Sequence, residues 1–238
     1  MSRVPILCYH NIGPAPAGGR FQLLHVAEAK LERQLWALRR LGLRGVSMTE
    51  GLAHLGGGAA WPGRVVLTFD DGYLDTLTAA LPLLQRYGCR ATCYVVSGQI
   101  GGHNRWDDGE GRERQALMTR EQIGSWLAAG MEIASHSCTH PWMQKLDDAE
   151  TTRELAESRA SLQQAFGVAV DHFAYPFGKF TAATVAAVKR CGYTSAVTVQ
   201  SGIARAGDDP LRLPRLVVDG RRGLPHFFGQ MAIRLARR

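Results

Sequence analysis

No C-x-x-C pair, no low-complexity tract and no apolar run of membrane-spanning length occurs in the 238-residue chain, and each absence removes a class of protein. A membrane-crossing helix needs about 18 consecutive apolar residues or more, and no stretch approaches that. The opening MSRVPILCYH carries only a short apolar run. It lacks the longer hydrophobic region and small-residue cleavage site of a secretory signal, so the chain is expected in the cytoplasm. Cysteine is sparse and odd in number: five residues, Cys8, Cys89, Cys93, Cys138 and Cys191, lie scattered along the chain. That argues against a disulfide framework and for a reducing compartment. With 45% hydrophobic and 8% aromatic residues, disorder is excluded as well.

What is present is a modest basic excess, 28 Lys and Arg against 21 Asp and Glu, for a net charge of +7. Such a balance favours acidic partners in general. The basic residues are dispersed until the tail, however, so there is no stripe for nucleic acid and none is expected as a partner. The length suits one large α/β domain running 1–238, with a basic C-terminal helix at about 223–238.

The clearest regularity is a repeated grammar in which a helical segment ends at glycine and a β-rich run follows. It recurs as LERQLWALRRLG-LRGVSM, TLTAALPLLQRYG-CRATCYVV, REQIGSWLAAG-MEIASH, RELAESRASLQQAFG-VAVDHFAY and TAATVAAVKRCG-YTSAVTV. Gly42, Gly88, Gly130, Gly167 and Gly192 fall where a helix ends in the left-handed conformation, which glycine enters without a Cβ penalty. Thr119 with Gln122 has the capping-box pattern, and Asp147 or Asp148 opens the next helix. Strands are expected at Pro5–Tyr9, Arg64–Phe69, Ala91–Val96, Glu132–Ser135, Phe173–Tyr175, Thr194–Val199 and Leu216–Val218. Strands alternating with helices imply a parallel sheet, and about seven of them favour a closed barrel over an open doubly wound sheet. Pro82 predicts a kink near the first turn of its helix. Two segments break the rhythm: the glycine-rich Gly56–Gly63, and the polar insertion Ser97–Leu117, whose length marks a functional lid.

In parallel barrels the chemistry sits beyond the C-terminal ends of the strands. Polar residues collect there: Tyr9-His10, then Thr68-Phe69-Asp70-Asp71-Gly72, then Ser135-His136 with His140, then Ala174-Tyr175-Pro176-Phe177-Gly178. Asp70 and Asp71 are adjacent carboxylates that point in different directions, so one can bind a metal while the other faces a substrate. D-D-G is also ordinary turn chemistry. His136 and His140 are expected one helical turn apart with both imidazoles facing one point. Two histidines with one carboxylate leave a coordination position open, as catalytic rather than structural zinc sites do.

TFDDG at 68–72, SHSCTH at 135–140 and AYPFG at 174–178 together resemble the polysaccharide deacetylase family, also called carbohydrate esterase family four, over about Val4 to Val218. The resemblance implies a distorted barrel of seven βα units, an α/β fold of (β/α)7 type. It implies Asp71, His136 and His140 as metal ligands and Asp70 as general base. It also implies a divalent ion, zinc first and Co2+, Ni2+ or Fe2+ as alternatives, which polarises an acetamide carbonyl and activates water. The oxyanion would be held by the metal and the backbone N–H of Tyr175. The implied reaction converts an N-acetylated sugar or glycan to acetate and a free amino sugar, within glycan, exopolysaccharide or lipopolysaccharide biosynthesis.

The opening VPILCYHNIG resembles the branch that includes poly-N-acetylglucosamine deacetylases, where an N-terminal Tyr-His supplies the acid; His10 is expected in that role. Many relatives carry arginine where Ala174 stands, and Arg215, in LRLPRLVV, is the residue that can restore the ion pair to the aspartate. The late His226 does not match the family's L-x-H motif, and TVQSGIA stands where relatives have a tryptophan-bearing motif. Tyr175, Pro176, Phe177 and Trp142 are the expected substrate contacts, with His103, Trp106 and Asp107 of the insertion as further candidates. The tail FFGQMAIRLARR, with Arg234, Arg237 and Arg238 and with Arg221–Arg222 upstream, reads either as a peripheral contact to an anionic membrane or as a final barrel helix with a solvated end. Two rivals stand beside the deacetylase reading: a metal-dependent hydrolase of a non-sugar C–N amide, and a carbohydrate-binding pseudoenzyme.

Overall fold

The computed structural model describes residues 2–15, 21–56, 63–109 and 113–236, and side chains only as far as residue 232. Residues 57–62 of the glycine-rich connection, 110–112 of the insertion, and Arg237, Arg238 and the Arg234 side chain lie outside the described residues. Eight parallel strands make one sheet: β1 (Ile6–Tyr9), β2 (Arg44–Val46), β3 (Arg64–Phe69), β4 (Thr92–Val95), β5 (Glu132–Ser135), β6 (His172–Ala174), β7 (Ser195–Ser201) and β8 (Leu213–Val217). Seven close a ring in the order β1-β8-β7-β6-β5-β4-β3, and β3 returns to β1 with Ile6 opposite Val66 and Tyr9 opposite Phe69. β2 is wedged in beside the first half of β3, Arg44 opposite Arg64, while Thr68 and Phe69 of the same strand pair with β4. The chain is thus a (β/α)7 barrel, distorted by the wedge and by a register shift between Val197 and Ser201 against β8.

Two of the expected strands are displaced. β6 lies one residue earlier than Phe173–Tyr175, and β8 begins at Leu213 rather than Leu216. Pro214 and Arg215 read as a break in the apolar run. Pro214 is accommodated because it falls inside the register shift, where a ladder N–H is dispensable.

The strands alternate with period two. Ile6, Val66, Tyr94, Ala134, Ala174, Val197 and Leu213 form one buried cluster inside the ring. Their neighbours Leu7, Leu67, Val95, Ile133, Phe173, Ala196 and Leu216 belong to a second cluster, which packs against the outer helices. Those helices are α1 (Glu28–Arg40), α2 (Met48–Gly56), α3 (Leu81–Arg86), α4 (Arg120–Ala128), α5 (Asp148–Phe166), α6 (Ala182–Arg190) and α7 (Leu224–Ala236). Capping boxes open α4 at Thr119 with Gln122 and α5 at Asp147 with Glu150; a third, Thr181 with Thr184, opens α6. All five anticipated helix-ending glycines have positive φ. The chain is helical without a break over 74–86, and a π-helical turn, Thr76–Ala80, ends just before Pro82, so the irregularity expected at this proline falls in the turn that precedes it.

α2 plugs the N-terminal end of the ring, with Met48 and Leu55 in the inner cluster. There Glu132 accepts from the amide of Met48 (3.0 Å) and from the Thr92 hydroxyl, and its Oε1 faces His172. His172 also meets Thr49 and Ser195, at 2.9 Å each. In α7, Phe227 and Met231 are buried in the outer core, so these apolar tail residues pack inward, as in a final barrel helix. No helix among the described residues is long and apolar enough to cross a membrane.

Candidate active site

The strand alternation that builds the inner wall also aims the polar rim. Continuing β1 inward from Ile6 and Cys8 reaches His10; β3 from Val66 and Thr68 reaches Asp70; β5 from Ala134 reaches His136. Asp71, next in sequence, would face away from Asp70 in a continued strand. It instead adopts φ 74°, and its carboxylate swings back to the rim. Among the described residues, only four non-glycine residues have positive φ: Asp71, Ser137, His140 and Phe177. All four belong to this rim. Each such residue costs about 1–3 kcal/mol and persists only where its surroundings over-determine it, a pattern that marks functional sites.

Asp71 Oδ1 lies 3.4 Å from His136 Nε2 and 3.4 Å from His140 Nε2, with all three side chains buried. His136 Nδ1 donates to Ala174 O at 2.8 Å, so in the neutral ring Nε2 presents a lone pair to the carboxylate. His140 Nδ1 makes no hydrogen bond among the described residues. With both rings neutral, acceptors converge on one point, a geometry that suits a cation. Metal–ligand bonds of about 2.1 Å at tetrahedral angles separate neighbouring ligand atoms by about 3.4 Å, so the spacing fits a divalent ion. The segment 136–140 is not the helical turn expected from H-x-x-x-H. It is an irregular loop, because Ser137 and His140 are left-handed (φ 66° and 62°), and the two imidazoles meet edge to face with centroids 4.7 Å apart.

The titration behaviour follows from this crowding. Burial would raise the Asp71 pKa, but the His136 hydrogen bond and the His140 charge overcome it and hold the carboxyl far below its usual range. His136 goes up: burial opposes its charge, and Asp71 outweighs burial. His140 is pushed down to about 3, by burial and then by the His136 charge. His140 is therefore a neutral imidazole at physiological pH, the form that ligates metals.

Beside this triad, Arg215 from β8 crosses the inside of the ring to Asp70. The contact is a two-pronged fork, Nη1 to Oδ1 and Nη2 to Oδ2, both 2.7 Å, with Nε on Thr198 O and Nη1 also on Thr68 Oγ1. Arg215 is fully buried, its guanidinium 5.6 Å above the Tyr94 ring. The small inward side chains of Ala134 and Ala174 leave it room. Burial would raise the Asp70 pKa, but the Arg215 charge and hydrogen bonds exceed that and keep it lowered. Cys8, whose thiol burial pushes well up, donates to Asp70 Oδ2 at 3.5 Å and lies 4.0 Å from His10 Nδ1. Cys8, His10 and Asp70 also come within 4.8 Å of one another. The arginine already neutralises Asp70, so this second cluster does not suit a cation.

Both clusters open into a cavity of about 530 Å³ lined by His10, Asp70, Asp71, His136 and His140, a size suited to a small ligand. Trp106, Trp142 and Phe177 form aromatic wall: Trp106 lies 4.6 Å from His140, and Trp142 stacks on Phe177 at 4.9 Å. Tyr175 touches the cavity, but its ring packs outward on Phe180 and its hydroxyl donates to Leu211 O. Its amide, expected at the oxyanion, donates to Val197 O at 3.2 Å. Pro176, another expected contact, is buried and is not among the residues that line the cavity. His103 pairs with Asp108 at 3.4 Å and does not line it either, whereas Trp106 and Asp107 do. His226 lies in α7 and is not among the residues that line the cavity. Sequence reasoning missed Phe21, Leu23 and Leu24, which line the cavity beside His10. FQLL has no periodicity, and its only signal was a concentration of large apolar residues after the glycine-, proline- and alanine-rich stretch GPAPAGGR.

Comparison with known proteins agrees with this geometry. The family described as Polysaccharide deacetylase matches residues 58–196. A Bacillus subtilis (strain 168) protein named "Putative polysaccharide deacetylase YxkH" is 27% identical over 218 residues, 91% of this chain and 72% of that protein. The poly-beta-1,6-N-acetyl-D-glucosamine N-deacetylase of Escherichia coli (strain K12) is 26% identical over 94% of this chain, which spans only 38% of that relative. Among solved structures, the Streptococcus pyogenes deacetylase PplD in complex with acetate is similar with TM-score 0.83 and 26% identity, covering 96% of this chain and 98% of that one. IcaB from Ammonifex degensii gives 0.81 and 26%, over 97% and 96%.

Proposed function

The chain belongs to the polysaccharide deacetylase family and is a carbohydrate N-deacetylase, and from that premise we propose that it hydrolyses the N-acetyl group of an N-acetylated sugar in glycan, exopolysaccharide or lipopolysaccharide biosynthesis. The observation that carries the reading is the convergence of Asp71, His136 and His140 beside the Asp70–Arg215 pair on one cavity wall. The triad would hold a divalent cation, zinc first, since two imidazoles and a carboxylate suit Zn2+ and also Fe2+. When bound, that ion supplies Lewis acidity, polarising the acetamide carbonyl and lowering the pKa of water.

The remaining work falls to the protein's own groups. Asp70, kept ionised by Arg215, takes a proton from the attacking water as its oxygen bonds to the carbonyl carbon. His10, within 4.8 Å of Asp70, delivers a proton to the nitrogen as the C–N bond breaks, and acetate and a free amine leave. Trp142, Phe177 and Trp106 give flat apolar faces against which a pyranose packs, and the lining Asp107 offers a carboxylate to sugar hydroxyls.

The test is acetate release from N-acetylhexosamine oligomers, nucleotide sugars, lipid-linked sugars and cyclic amides, after chelation and after re-addition of defined metals. Asp70→Asn is expected to abolish release while metal content stays near that of the parent, and His136→Ala to lose both. Turnover of the cyclic amides alone overturns the sugar reading; indifference to chelation overturns the metal site.

A further inference from the structure

The loop 136–140 forms no helix, yet each of its five amides has an acceptor. His136 donates to Val95 O (2.9 Å), Ser137 to Ser135 Oγ (3.3 Å) and His140 to Ser137 Oγ (3.0 Å). The central two, Cys138 and Thr139, both donate to Glu154 Oε2, at 2.9 Å each. Glu154 Oε1 takes the Thr139 hydroxyl at 2.8 Å. This carboxylate comes from α5, is only 8% exposed, and binds the loop at the midpoint between the two histidines. From the other side, Ser97 donates to Ser137 O (3.0 Å) and Gly98 to Cys138 O (2.9 Å). A Cβ on Gly98 would stand 2.7 Å from Cys138 O, so only glycine lets that brace close.

A loop with two left-handed non-glycine residues does not hold its shape by local preference. Hydrogen bonds to an ionised acceptor are stronger and more directional than neutral ones, and Glu154 provides them where the chain is furthest from either sheet or helix. Resting on the metal-site reading above, we propose that Glu154 is a positioning residue: without touching the ion, it sets the loop geometry from which His136 and His140 converge on Asp71, and so governs metal affinity and ligand geometry.

Co2+ serves as the probe, because its visible absorption reports ligand geometry and its affinity is measurable by competition with a chromophoric chelator. Glu154→Gln is expected to weaken Co2+ binding by about 10- to 100-fold, the range for groups that orient metal ligands. It should also alter the visible band while leaving the metal-free circular dichroism and melting close to the parent. Glu157→Gln, an exposed position on the same helix, should match the parent in every measurement. If Glu154→Gln does not fold, Thr139→Val, which removes only the hydroxyl contact, carries the test with an expected several-fold loss of affinity. Parent-like affinity and spectrum in the folded variant overturn the inference and leave the metal site standing. A parent that takes up no Co2+ instead overturns the metal-site reading on which the inference rests.

Discussion

At the scale of single residues, the decisive pair is Asp70 with Arg215. Two charges buried together stabilise little on balance, but removing one strands the other, at a cost of about 3–5 kcal/mol. Arg215→Met should therefore destabilise the fold by about that much in denaturant unfolding and abolish turnover. Adding Asp70→Asn to it should recover most of the stability and none of the activity; a double variant no more stable than the single one would refute the pairing. Asp75 predicts a pH effect. Burial pushes it up to about 6 despite hydrogen bonds that include Asn11 Nδ2 (3.3 Å), and its Oδ1 has no partner among the described residues. The folded state then binds more protons than the unfolded one between the ordinary carboxylate pKa and about 6. Stability is full below that window and lost as pH rises through it, by up to about 3 kcal/mol. Unfolding of the parent followed from pH 4 to pH 7 should show this slope, and Asp75→Asn should flatten it. The identities at the rim were legible because TFDDG and SHSCTH are local strings, and Arg215 because Ala174 left a gap to fill. The left-handed turn at Asp71 has no local sequence signal, and the hydrogen bond of the Tyr175 amide was not legible because its acceptor, Val197 O, lies on a neighbouring strand.

At the scale of elements, the sequence marked helix ends well because capping boxes and terminal glycines are local chemistry. It misjudged the ligand loop because H-x-x-x-H spacing serves a helical turn and a braced loop equally. It read LRGVSM as a β-rich run but left the wedge strand β2 off the expected strands, since three residues carry little periodicity. The plug at the opposite end of the ring follows its own logic. Glu132 caps the start of α2 and ties β4, β5 and β6 together through Thr92 and His172. Glu132→Ala leaves the Met48 amide and the Thr92 hydroxyl without this acceptor, which costs about 1–3 kcal/mol. Thermal melting should fall accordingly while metal affinity stays at the parental value, because the plug and the metal triad lie at opposite ends of the same strands.

For the molecule as a whole, the plug and the proposed metal triad stand apart, at opposite ends of the strands. Metal that binds only the native state raises its stability by mass action. Excess Zn2+ should therefore raise the melting temperature of the parent and leave that of His136→Ala unmoved, and chelated protein should keep its circular dichroism. The order of parts along the chain carries one more consequence. Asp71, His136 and His140 all precede β7, whereas the counter-charge for Asp70 arrives only with β8, the strand that turns an open arc into a ring. During synthesis the residues of the proposed cation site are all made while the acid beside them still lacks its arginine. On the proposed mechanism, competence for hydrolysis would report closure of the last seam.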